Sequence, residues 1–137
     1  MNTLRPVRRA RELRGFLLAT LLVVVLAGCA APSTSEDPAI LFFYMEDCSH
    51  CTRMKEVLQT LLDESPGLAV RYYDFKSSTG QSLLQKLAIR YRLQSPIDVP
   101  VILVGDKAIV GEGKPQELAL RAAIAACASG NCPSPLR

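Results

Sequence analysis

The sequence predicts a small α/β domain over residues 39–127: a four-stranded mixed sheet with helices on both faces, in the order β-α-β-α-β-β-α. Three observations carry that expectation. A continuous apolar and aromatic run opens the domain, segments with apolar residues at three- and four-residue spacing alternate with further short apolar runs, and a Gly-Asp pair joins the last two runs. A β-α-β unit followed by a helix and a hairpin closes into one sheet covered on both sides.

Each element has its own local reason. Ala39 to Tyr44 (Ala-Ile-Leu-Phe-Phe-Tyr) is apolar at every position, as a strand buried on both faces requires. Met54, Val57, Leu58, Leu61 and Leu62 share one helical face, which predicts a helix over 49–64 that Pro66-Gly67 stops. From Leu68 to Phe75 the residues Leu68, Val70 and Tyr72 alternate with Ala69, Arg71 and Tyr73, a strand pattern. Leu83, Leu84, Leu87, Ala88 and Tyr91 mark a second helix over 80–92. Beyond Pro96 and Pro100, Val101–Val104 and Lys107–Val110 form a hairpin about Gly105-Asp106. Pro115 then opens an Ala-rich helix that reaches Cys127.

The chain has 137 residues, 49% of them hydrophobic and 21% charged, which fits one small folded domain and excludes a disordered chain or a multidomain enzyme. Its net charge of +3 is unevenly spread. Residues 1–28 hold five arginines and a single acid, Glu12, so the remainder is close to neutral and slightly acidic. No nucleic-acid partner is expected from such a balance.

That basic segment reads as an address. After its arginines, Phe16 to Leu26 form an apolar run of about 11 residues, too short for a helix to cross ~30 Å of hydrocarbon but right for the core of a secretory signal. The run ends in Leu26-Ala27-Gly28-Cys29, which resembles the lipobox of bacterial lipoproteins. The resemblance implies a signal peptide over 1–28, lipidation of Cys29, and an extracytoplasmic protein anchored by lipid to a bacterial membrane, on its periplasmic face or the cell surface. Residues 29–38 then read as the lipidated cysteine and a polar tether. Residues 128–137 form a C-terminal tail.

With Cys29 assigned to lipid, four cysteines remain, and an even number in an exported chain favours disulfides. Cys48-Ser49-His50-Cys51 falls just past the first strand, at the predicted start of the first helix. Unpaired N–H groups and the positive end of the helix dipole favour a thiolate there. Two cysteines so spaced close a small reducible ring. Cys127 and Cys132 flank the Gly130-Asn131 turn, and a structural disulfide tying the tail to the helix fits them best; a second redox pair relaying electrons to Cys48 and Cys51 is the alternative.

Strand–C-x-x-C–helix, the later β-β-α, and Val99-Pro100 just before the third strand together resemble the thioredoxin superfamily across residues 39–127. Within it, the small size is closest to glutaredoxin-like members. In that superfamily the corresponding proline follows a cis peptide bond beside the redox pair, and the backbone of the residue before it pairs with substrate. The resemblance assigns these roles to Pro100 and Val99, Ser95-Pro96 lying too far from Val101 to match as well. It implies Cys48 as nucleophile and Cys51 as resolving thiol. A histidine placed like His50 also occurs in bacterial periplasmic disulfide oxidases, which implies that His50 tunes the pair by stabilising the Cys48 thiolate. Two features depart from the pattern: Ser49 stands where proline is common, and Phe42 occupies the position, six before the first cysteine, where several relatives bury an acid. Glu46 and Asp47 read as solvated loop charges, which leaves His50, Lys55 or water to exchange protons with the thiols.

The expected function is a membrane-anchored thiol–disulfide oxidoreductase acting on exported proteins. Its partners would be their thiols and disulfides and a membrane or periplasmic redox protein. It needs no dissociable cofactor and no metal. The alternative is a copper- or zinc-handling protein that uses Cys48, His50 and Cys51, with Met45 or Met54, on the same scaffold.

Overall fold

A computed structural model of the chain describes residues 37–130 and 132–137. The segment 1–28, Cys29 and the tether as far as residue 36 lie outside the described residues. Seven elements follow in the order β1 (Ile40–Tyr44), α1 (Ser49–Glu64), β2 (Val70–Asp74), α2 (Ser78–Tyr91), β3 (Val101–Val104), β4 (Lys107–Val110) and α3 (Lys114–Ala128). The strands form one sheet in the order β2-β1-β3-β4. β1 and β2 are parallel, with Ile40 level with Val70 and Tyr44 level with Asp74, and α1 supplies the crossover a parallel pair needs. β3 runs antiparallel to β1, and β4 antiparallel to β3.

β1 is central, and its two faces build two cores. Ile40 and Phe42 pack with Met54, Leu58 and Leu61 of α1 and with Leu120 and Ile124 of α3. Leu41 and Phe43 pack with Leu84 and Leu87 of α2. Alternate residues of a strand face opposite ways, so an uninterrupted apolar run demands cover on both sides. The result is the thioredoxin-like four-stranded mixed sheet, with α1 and α3 on one face and α2 on the other. Phe42 is fully buried in the α1/α3 core.

Several boundaries move by one or two residues from the sequence expectation, and those of β2 and α2 have a clear cause. β2 begins at Val70, where its register with Ile40 starts, two residues later than the alternating pattern. α2 begins two residues earlier, because the Ser77 side chain caps it by accepting the Gly80 N–H at 3.0 Å. It ends at Tyr91, since Arg92 turns into the left-handed region with φ 53°. Gly80 is fixed by crowding, as a Cβ there would collide with the Asp74 carbonyl.

The C-terminal residues are part of the fold. Ser134, buried, donates to the Pro38 carbonyl at 3.0 Å, and Arg137 pairs with Asp37 at 2.8 Å. Arg90 of α2 donates to the Pro135 carbonyl at 3.1 Å. The segment thus closes over the start of the domain and over α2, and Asp37 and Pro38 pack with the tail.

Candidate redox site

The site is built where β1 hands over to α1. Asp47 adopts φ 60°, a left-handed turn that aspartate tolerates better than most residues, and the chain reverses from strand into helix. Cys48 is then the N-cap of α1 in extended conformation, and its Sγ accepts the Cys51 N–H at 3.1 Å. A sulfur thus fills the capping place usually held by a serine or aspartate oxygen. The Cys48 carbonyl accepts both the N–H and the hydroxyl of Thr52, at 3.0 and 3.3 Å. Cys48 and Cys51 are disulfide-bonded, with Cα atoms 5.2 Å apart. Cys51 is buried and Cys48 half-exposed, so an incoming thiolate meets Cys48 first.

Sheet register brings the other predicted residues to the same end. Phe43 pairs with Val101, which sets Pro100 level with Tyr44, four residues before Cys48. The peptide bond before Pro100 is cis, as is the one before Pro96. Val101 pairs with Val110, so Gly111 lies opposite Pro100, and its N–H donates to the Pro100 carbonyl at 2.8 Å. Val99, Pro100, Gly111 and the Cys48–Cys51 ring therefore gather at the C-terminal end of β1.

The residue that the sequence pattern did not single out is Glu112. Glycines with positive φ, Gly111 at 78° and Gly113 at 131°, flank it in the short link from β4 to α3. Its Oε1 lies 2.9 Å from His50 Nδ1, and its Oε2 faces Arg53 Nε at 3.3 Å. Oε2 is buried and has no aligned hydrogen bond. The imidazole and the guanidinium come from the first turns of α1, on one helical face. The sequence signal was a lone acid between two glycines where strand gives way to helix. Its partners, about sixty residues away, were invisible.

Other candidates fall elsewhere. Glu46 and Asp47 are exposed. Lys55 Nζ lies over the Tyr72 ring, 5.2 Å from its centre, engaged with the β2 edge. Met54 is fully buried among core side chains, which accounts for it by packing. Among the described residues no three His, Cys, Asp or Glu side chains are grouped to hold a metal ion.

Cys127 and Cys132 are joined to each other at the opposite end of the sheet. A Cβ on Gly105 would lie 3.6 Å from Cys127 Sγ and 3.8 Å from Cys132 Sγ, so the ring packs beneath the β3–β4 turn. Cys132 Sγ lies 3.9 Å from the Ala39 carbonyl, just before β1. The five residues of β1 span about 16 Å, so the sulfurs of one pair do not reach those of the other.

At one end, then, a half-exposed disulfide caps a helix N-terminus, and cleavage leaves a sulfur where backbone N–H groups stabilise a thiolate. That arrangement can undergo thiol–disulfide exchange. No family model matches the sequence, and no curated protein matches it. Among solved structures, the chain is similar to a glutaredoxin from Archaeoglobus fulgidus, with 20% identity and a TM-score of 0.47 over 72% of this chain and 98% of that one. The strand order, the paired cysteines at the first helix and the helices on both faces make this a thioredoxin-like fold carrying a disulfide-bonded C-x-x-C.

Proposed function

We propose that the protein is an extracytoplasmic thiol–disulfide oxidoreductase, held near a bacterial membrane by lipid on Cys29 and exchanging disulfides with exported proteins. One observation carries the redox part: Cys48 caps α1 with its sulfur, half-exposed, in a disulfide to the buried Cys51. The anchoring part is supported by the Leu26-Ala27-Gly28-Cys29 sequence behind a short apolar run.

In the oxidising direction a substrate thiolate attacks Cys48 Sγ. The Cys48–Cys51 bond breaks, and Cys51 leaves as a thiolate. The substrate's second thiolate then attacks its own sulfur in the mixed disulfide and expels Cys48 as a thiolate. Two electrons have passed to the protein, a disulfide has formed on the substrate, and the two protons shed by the substrate thiols go to the new protein thiols or to solvent. The reducing direction is the reverse. Val99 and Pro100 would line the substrate's approach, and a membrane or periplasmic redox protein would restore the pair.

The deciding experiment equilibrates the full chain with glutathione buffers and follows Cys48 and Cys51 by mass spectrometry after thiol trapping. A reversible transition is expected. A midpoint near or above about −180 mV assigns the protein to disulfide donors or isomerases, and one near about −240 mV or lower to reductants. A Cys48–Cys51 pair that does not cycle in any buffer overturns the proposal. Metabolic labelling with a fatty acid tests the anchor, label on the wild type and none on Cys29→Ser being the expected result.

A further inference from the structure

Thiol–disulfide exchange at Cys48 turns on how well its departing or attacking thiolate is stabilised. From the geometry we propose that Glu112 is a positioning residue of the redox pair, acting on Cys48 through His50. This rests on the redox reading of Cys48–Cys51 and deepens it.

Three observations set Glu112 apart. Its side chain is 19% exposed, the least of any acid in the described ion pairs, the others ranging from 28% to 74%. It draws two nitrogen-bearing side chains of α1, His50 and Arg53, onto one carboxylate. Its backbone is tied into the site, since Gly111 before it donates to the Pro100 carbonyl. Stability is a poor reason for such an arrangement, because His50 and Arg53 are both well exposed and exposed pairs contribute little.

The chemical consequence follows from the nitrogen that is used. His50 Nδ1 faces Oε1 at 2.9 Å, so an Nδ1–H held by the carboxylate would leave Nε2 as the ring nitrogen that meets a sulfur or a proton. A base held in one orientation by a third group is the arrangement that activates nucleophiles generally. His50 lies two residues after Cys48, in the first turn of the helix that Cys48 caps. On this proposal a fixed imidazole there would stabilise the Cys48 thiolate more than a freely rotating one.

A direct effect of the carboxylate would have the opposite sign. A negative charge acting on sulfur by itself disfavours the thiolate, so the direction of change tells the two apart. The other charged groups on the segments around the pair include Glu46 and Asp47 before Cys48, Arg53 and Lys55 on α1, Asp98 before Val99, and Lys114 after Glu112, which pairs with Glu117. They are left in place in every comparison.

The test measures the pH midpoint of iodoacetamide alkylation at Cys48 in the reduced full chain, resolved from the other cysteines by mass spectrometry. It uses the wild type, Glu112→Ala, Glu112→Gln, His50→Ala and the double variant His50→Ala/Glu112→Ala. Glu112→Ala should raise the midpoint by about 0.5–1 pH unit, the worth of one ordinary net hydrogen bond. Glu112→Gln, which keeps an acceptor for Nδ1–H and so guards against a merely misfolded loop, should shift it less and in the same direction. In the His50→Ala background, removing Glu112 should change nothing further. A lowered midpoint, an unchanged one, or a shift that persists without His50 overturns the inference. Glutathione equilibration of the wild type separates this failure from the larger one: if the pair cycles while Glu112 is silent, only the inference falls.

Discussion

The two disulfides of this domain are the same bond in opposite settings. Cys48–Cys51 sits where β1 ends, on a helix N-terminus, with one sulfur half-exposed and a polar cluster of His50, Arg53 and Glu112 beside it. Cys127–Cys132 sits where β1 begins, with Cys127 buried against the core and the β3–β4 turn, and with the C-terminal tail folded over the chain at Asp37 and Pro38. A disulfide is reactive when its sulfur can be approached in line and its leaving thiolate is stabilised. The first setting supplies both conditions. The second also leaves one sulfur partly exposed, that of Cys132, but it lies at the C-terminal end of α3, where the helix dipole disfavours a thiolate, and its bond holds the tail to the helix.

The largest expected effect tests that division directly. Cys48→Ser should reduce thiol–disulfide exchange by about 100-fold or more, since the nucleophile itself is gone. The Cys127→Ser/Cys132→Ser double variant should keep exchange within about twofold while losing about 2 kcal/mol of stability in urea titrations, as expected for opening a short ring. If the double variant loses exchange and Cys48→Ser keeps it, the two ends have been assigned the wrong way round.

A smaller effect sharpens the view of the Cys127 end. The Tyr91 hydroxyl donates to the Gly105 carbonyl, on the turn over the second disulfide. Burial raises its pKa above the ordinary 10.0, with Arg90 opposing and Asp106 adding to the rise. Because the folded state holds the proton more tightly than the unfolded one, this contribution to stability is complete below about pH 10 and is lost as pH climbs through the raised folded value. Urea midpoints should therefore hold level up to about pH 9 and fall above pH 10. Tyr91→Phe should cost about 1 kcal/mol near neutral pH and flatten the alkaline fall. It flattens it only in part, because burial raises Tyr72 as well. Exchange at Cys48 should not change.

The smallest effects lie in the tail. Ser134→Ala removes a buried donor to the Pro38 carbonyl and should cost about 1 kcal/mol. Arg137→Ala breaks an exposed pair with Asp37 and should stay within about 0.5 kcal/mol. Equal losses from both would mean that the tail is held by charge more than by its buried contacts.

These contrasts show how far local pattern reaches. The apolar run of β1 announced a strand covered on both faces, and the two cores lie on its two sides. The spacing of Met54, Leu58 and Leu61 announced α1 with the bounds it has, because helical periodicity is written in neighbouring residues. The start of α2 was less legible. Ser77 caps the helix before its first apolar residue, so the periodic pattern began too late to mark it.

By itself, then, the sequence determined the elements, their order, and the placing of Cys48 at a helix start, all of which depend on residues within a few positions of one another. Only the tertiary structure decided which distant groups meet. The register of β3 against β1 brings Pro100 to the redox end, where only a family resemblance had put it, and that of β4 brings Gly111 opposite it. The link that follows then delivers Glu112 to His50 and Arg53. The tail likewise reaches Pro38 across 96 positions. Such meetings are set by strand pairing and by the packing of helices on a shared sheet, and neither leaves a local trace in the residues that it brings together.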